Sequence, residues 1–175
     1  ALTPEMKLTV KAVKKAVRFL KKQNAKKING YYYGIVHPDC SYDLTEDARW
    51  IDAVKYKNPE RIYNGEIGEI EGARFVETTE AKIWAKAGAA KSTSDTTKID
   101  VYGTLIFGAN AYATTKIEGG GLKTIIKQLG SAGTGDPLDQ RATVGWKALK
   151  VTEILTEAYM IRIETASTFS DGEAN

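Results

Sequence analysis

Three groups of residues in this 175-residue chain have types and spacings that invite chemistry. The first is the run LGSAGTGDPLDQRATVGWK, Leu129 to Lys147, in which Gly130 and Gly135 stand five apart, as in a phosphate-binding loop. Such a loop needs a strand, then Gly-x-x-x-x-Gly-Lys-Ser/Thr, then a helix, so that the lysine and hydroxyl reach the terminal phosphate and its magnesium. Here Asp136 stands where the lysine belongs, and Pro137 removes an amide donor from the nest. The residues after Pro137 read as strand and not as helix, so these glycines are expected to shape a tight, irregular turn.

The second group is His37-Pro38-Asp39-Cys40, which holds the only histidine and the only cysteine. A Cys/His nucleophile pair would need a third, orienting group, and a zinc site would need further His or Cys ligands that the chain does not contain. A histidine donating to backbone in a turn is the expectation. The third group is the acids: Asp39, Asp43, Glu46, Asp47, Asp52, Glu66, Glu69, Glu71, Glu77 and Glu80. Two carboxylates flanking a bond could hydrolyse a glycoside. No pair is singled out, and acids spread over helices and hairpins ordinarily face solvent. Neither catalytic residues nor a cofactor or metal set is therefore expected.

Charge is more informative. The net +3 conceals nine Lys/Arg against the single acid Glu5 in residues 1–27, a local balance of +8, whereas the remaining chain carries sixteen basic and twenty-one acidic residues, a balance of −5. Lys7, Lys11, Lys14, Arg18 and Lys21 recur at spacings of four and three, one residue after an apolar series of Met6, Val10, Val13, Val17 and Leu20. With Lys15 they form a basic stripe beside an apolar one, either a solvated face or a surface for a polyanion such as DNA.

The elements that must position these residues can be read from periodicity. Residues 1–29 read as one long helix with Thr3 as cap, Pro4 at its first position and Asn29-Gly30 as its stop. YYYGIVHP reads as a strand, CSYDLTEDARWIDAVKY as a helix, and residues 64–79 as a hairpin turning at glycines. Residues 85–98 are small and polar and read as an exposed, mobile loop. A buried strand from Asp100 with a turn near Asn110 comes next, then two strands with a break near Thr156-Glu157. Tyr31, Tyr32, Tyr33, Trp50, Trp84 and Trp146 are candidates for a core or an inter-subunit contact. No apolar run reaches the ~20 residues of a membrane helix.

The order of the pieces carries a resemblance. His37-Pro38, Asp43-Leu44, Trp50, Asn58-Pro59-Glu60, Asn64-Gly65-Glu66-Ile67-Gly68 and Arg74-Phe75-Val76-Glu77-Thr78 are followed by Gly130-Ser131-Ala132-Gly133, Asp136-Pro137-Leu138, Gln140-Arg141 and Gly145-Trp146-Lys147. This set resembles the major capsid proteins of tailed phages, in the branch typified by the capsid protein of coliphage N-four. The resemblance implies an α+β fold of the Hong Kong 97 type, with a long spine helix at 1–30, a mainly axial domain at 31–142 and closing strands at 143–175 returning to the peripheral domain. It implies a chain that starts at the spine helix, without the N-terminal arm and extended loop of longer family members. It also implies a structural, non-enzymatic subunit made in the host cytoplasm that assembles with its own copies into hexamers and pentamers around double-stranded DNA. Scaffold or portal proteins are further possible partners, and no membrane is involved. Glu66, Glu69, Glu71, Arg141 and Lys147 are then candidates for inter-subunit contacts, and Lys7, Lys11, Lys14, Lys15, Arg18 and Lys21 for an interior face toward DNA.

Overall fold

Val10, Val13, Ala16, Val17 and Leu20 share one face of a helix, α1 (Val10–Lys22), and all five are buried. The computed structural model describes residues 1–55, 67–116, 120–131, 135 and 138–169, the side chains of 53–55 excepted. Helix α1 is 13 residues long, shorter than the helix expected over 1–29. Its cap is Thr9, whose side chain accepts from the Ala12 amide, and not Thr3. Residues 6–8 are drawn off as an extended segment: Leu8 is enclosed, Met6 O accepts the Ala166 amide at 2.9 Å, and Lys7 bridges Ala166. Met6 thus leaves the apolar stripe and stands half exposed. At the other end, Asn24 takes the left-handed conformation at φ +56 and the Ala25 amide returns to Leu20 O. Asn29-Gly30 instead close a turn in which Ile28 and Tyr31 exchange backbone hydrogen bonds before the first strand.

Strand β1 (Tyr32–Val36) comes next, then α2 (Pro38–Thr45) and α3 (Ala48–Lys55), then β2 (Glu69–Ile70), β3 (Ala73–Glu77), β4 (Ile83–Trp84) and β5 (Val101–Phe107). The single helix expected over 40–56 is broken because Asp47 O accepts the amides of Trp50 and Ile51 and its Oδ1 accepts from Arg49, so Asp47 caps a new helix. The hairpin turns at Glu71-Gly72 as expected. The polar loop is exposed from Lys91 to Lys98 and is pinned by an Ala90–Lys98 bridge.

Two compact units are present, Ala1–Ala111 with Thr156–Asn175, and Tyr112–Leu155. In the first, the strand order is β10-β5-β1-β3-β2, with β4 on β5 and β10 (Met160–Thr165) antiparallel to β5. β1 and β3 run parallel, with α2 and α3 between them in the chain, as a parallel crossover requires. One sheet face carries Tyr32, Val36, Ala73, Phe75, Tyr102 and Ile106, which join the buried side of α1 and Cys40, Leu44 and Trp50 in one core. The second unit consists of two ribbons: β6 (Tyr112–Thr114) with β9 (Thr152–Ile154), and β7 (Lys123–Lys127) with β8 (Thr143–Lys147). A 3₁₀ turn, Glu157–Tyr159, supplies the expected break before β10.

Candidate assembly and polyanion interfaces

The face of α1 opposite its core is basic: Lys11, Lys14, Lys15, Arg18, Lys21 and Lys22 are all exposed. The helix holds this row rigidly because both ends are tied. Thr9 caps it, and Asp47 Oδ2 accepts the Val10 amide at 2.9 Å, placing a carboxylate at the positive end of the dipole. Lys21 and Lys22 suit the negative end. Lys7, expected in the same row, sits in the extended segment before the helix.

Two sets of residues with separate expected roles meet here. Lys14 Nζ lies 2.8 Å from Glu71 Oε1, so an interior-face candidate pairs with an inter-subunit candidate of the same chain. Around that pair is a groove of about 480 Å³ lined by Lys11, Lys14, Lys15, Arg18, Lys21 and Glu71. Lys27 approaches the same turn: a Cβ built on Gly72 would lie 3.3 Å from its ammonium. Glu69 is half-buried on β2, in register with Arg74, whose guanidinium lies 5.7 Å from the Tyr31 ring centroid. Glu66 lies outside the described residues.

Arg141 and Lys147 are exposed in the second unit. Lys147 on β8 stands directly opposite Lys123 on β7, a like-charge pairing that weakens the ribbon. The second unit is also apolar in the open: Leu122, Ile126, Leu129, Leu138, Val144, Trp146 and Leu149, in the strands and beside them, are each at least 62% exposed. A lone two-stranded ribbon is marginal in water, and its outer strand edges are templates for pairing. The sequence showed alternation at Val144 and Trp146 but gave no sign that, among the described residues, β8 would be exposed throughout.

The glycine-rich stretch forms a turn where it is described. Gly130 has φ +79, and both the amide and the hydroxyl of Ser131 donate back to Gln128 O. That hydroxyl is thereby turned back onto the backbone. Residues 132–134 and 136–137, with Asp136-Pro137, lie outside the described residues.

His37 caps α2 and is buried, its Nδ1 accepting the Asp39 amide at 3.2 Å. It accepts where the sequence suggested a donor to backbone, because the cap of a helix faces unpaired amides. An Nδ1 that accepts carries no proton, so its 3.3 Å approach to Asp39 Oδ2 is not an ion pair in this tautomer. Asp39 accepts instead from the Tyr102 hydroxyl at 2.8 Å; burial, and then that bond, hold the Tyr102 pKa well above the ordinary phenol range. Cys40 is enclosed 3.6 Å from Thr165 Oγ1, and burial pushes its thiol up to about 12. Such a thiol is uncharged at neutral pH and is no nucleophile. Asp43 accepts from the Thr168 amide and hydroxyl, fastening the segment after β10 to α2. No residue pattern pointed to that contact or to Asp47 on Val10, since each joins positions far apart in the chain.

Among the described residues no group of three or more His, Cys, Asp or Glu is placed to hold a metal, and no helix is long and apolar enough to cross a membrane. The described residues thus present an α+β unit with a charged helix face, and ribbons beside exposed apolar side chains. Residues 1–129 match the family described as phage capsid protein, and the chain belongs to that family.

Solved structures agree on the fold. The capsid of Ralstonia phage GP4 superposes with a TM-score of 0.66 at 14% identity, over 99% of this chain and 50% of that one. The capsid of the cyanophage P-SCSP1u gives 0.63 at 17% identity, over 91% and 46%. The acid-stable capsid of Helicobacter pylori bacteriophage KHP30 gives 0.65 at 11% identity, over 94% and 61%. The chain therefore spans between 46% and 61% of the length of these capsid chains. No curated protein sequence matches it. Nothing in these likenesses supports the alternative of a free-standing DNA-binding protein acting through the first helix.

Proposed function

We propose that the chain is a building unit of an icosahedral phage shell of the Hong Kong 97 type, joined with its own copies into hexamers and pentamers around packaged double-stranded DNA. It would be made in the host cytoplasm and end in the virion, with scaffold or portal proteins as further partners. Family membership sets the class. The observation that carries the mechanism is the apolar exposure of the ribbons, from Leu122 to Leu149. Surface of this kind on a soluble protein marks an interaction site, and repetition by symmetry turns many weak contacts into a stable shell. In this reading α1 is the spine helix of the peripheral domain, residues 31–142 form the mainly axial domain, the strands from 143 return to the peripheral domain, and the ribbons are the part that reaches neighbouring polypeptide. Arg141 and Lys147 would supply polar contacts there, and Glu69 on the hairpin. The basic face of α1 would look toward DNA.

Hydrogen exchange on free chain and on assembled particles tests this. Amides of β7 and β8 should exchange freely in the monomer and become protected on assembly, while those of β5 stay protected in both. Val144→Asp should leave the monomer folded and stop self-association in sedimentation. A Val144→Asp chain that associates like the parent would sink the assignment of the ribbons as the contact surface.

A further inference from the structure

Among the described residues, six other than glycine hold a positive φ; four are Asn or Asp, and the exceptions are Glu71 and Lys86. Asn and Asp tolerate this geometry, whereas a longer side chain there is disfavoured. Glu71 at φ +53 precedes Gly72 at φ +81, and together they form the two-residue turn between β2 and β3. Turns with both angles positive favour Asn-Gly or Asp-Gly. A glutamate is the poorer choice for the backbone, and an outlier of this kind invites a functional reason. Its carboxylate reaches over α1 to Lys14 and so becomes the acid among the groove's described lining residues.

We propose that Glu71 is a built-in counter-charge: the groove takes the phosphate backbone of duplex DNA, and Glu71 holds one phosphate's place until it is displaced. This rests on the reading that the basic face of α1 looks toward DNA. From Lys11 to Lys21 the cationic row runs about 15 Å along the helix, about the rise of four base pairs along a duplex axis. A rigid row of evenly spaced cations suits a regular phosphate array. An acidic peptide would want apolar anchors, and apart from the lysine and arginine stems the groove offers only the buried Val17. In the resting chain the Lys14–Glu71 pair takes one cation out of the row and places a negative charge among the others. Both effects lower affinity for DNA, so the contact stays weak and reversible, as a DNA that must be packed and released requires. A duplex phosphate arriving at Lys14 replaces the carboxylate, which then moves toward solvent; at 36% exposure its side chain is already partly hydrated.

The test is fluorescence anisotropy of a short labelled duplex with the whole chain, at about 50 and 200 mM salt. Glu71→Gln, and Glu71→Asn as a turn-compatible second variant, are compared with Glu80→Gln, which removes an equal charge from an exposed position outside the groove. Both Glu71 variants should bind about two- to fivefold tighter than Glu80→Gln, the range expected for releasing one surface ion pair. Their salt slopes should match the parent's, since a phosphate meets Lys14 in either case. If neither tightens while Lys14→Ala/Lys15→Ala/Arg18→Ala weakens binding, the counter-charge is overturned and the DNA-facing reading survives. If no variant binds even at low salt, both fall. If polyglutamate binds Glu71→Gln more tightly than duplex does at equal charge concentration, the partner has been misassigned.

Discussion

Ile106, Val36 and Leu20 in the six-stranded unit are fully enclosed, whereas Val144 and Trp146 on the ribbons are each 75% exposed. Both regions draw on the same apolar residue types in their strands. The first closes a core because a helix with its own apolar stripe lies over one face of the sheet. Burying each large aliphatic side chain there contributes about 1.5–3 kcal/mol. The ribbons hold only backbone ladders and carry their apolar side chains in the open. Strand pattern alone therefore does not make a core; a second layer must meet it. One region buries its apolar side chains, and the other carries them in solvent, as the proposed contact surface requires.

The contrast can be broken most decisively by truncation. Ile106→Ala, in the middle of the sheet, should lower unfolding free energy by about 2–5 kcal/mol in urea titration. Gly108→Ala is the next largest expected effect. A Cβ at this position would stand 2.6 Å from Lys26 O, a backbone atom that cannot swing aside, so a loss of about 1–3 kcal/mol is expected in the same titration. Asp47→Ala removes the carboxylate from the start of α1 and should cost about 1 kcal/mol, read in the helical circular dichroism melt.

A pH effect of similar size is expected from Cys40. Its folded pKa is raised from 9.0 to about 12, so its contribution is present below pH 9 and lost as the unfolded thiol ionises above it. Between pH 7 and 9.5 the parent should lose about 0.8 kcal/mol more than Cys40→Ser. The same thiol should resist maleimide at pH 8 until the chain unfolds. The smallest effect is expected on the ribbons, where Trp146→Ala should change monomer stability by less than about 0.5 kcal/mol. If it costs as much as Ile106→Ala, the two regions are not the opposites described.

Much of the six-stranded unit was legible because its signals are local. The stripe Val10, Val13, Val17 and Leu20 announced the buried face of α1, and the glycines of residues 64–79 announced a hairpin, whose turn falls at Glu71-Gly72. The helix limits were not legible. The start was set by Asp47 and Ala166, residues more than thirty positions away whose carboxylate and amide hold Val10 and Met6, and the end by the left-handed Asn24. The separation of α2 from α3 likewise depends on Asp47 acting as a cap, a role no different in sequence from that of a surface acid.

The sequence by itself determined the class of this protein: an ordered set of motifs matching phage capsid proteins, a basic first helix, and a glycine-rich stretch unfit to cradle a phosphate. Those features rest on residue identity and short-range geometry, which are written along the chain. Only the tertiary structure decided that Lys14 and Glu71 face each other, that the Cys40 thiol is sealed off, and that the described apolar side chains of β7 and β8 stand in the open. Each of these depends on which distant segment arrives alongside, and burial and charge pairing take their energies from that arrival.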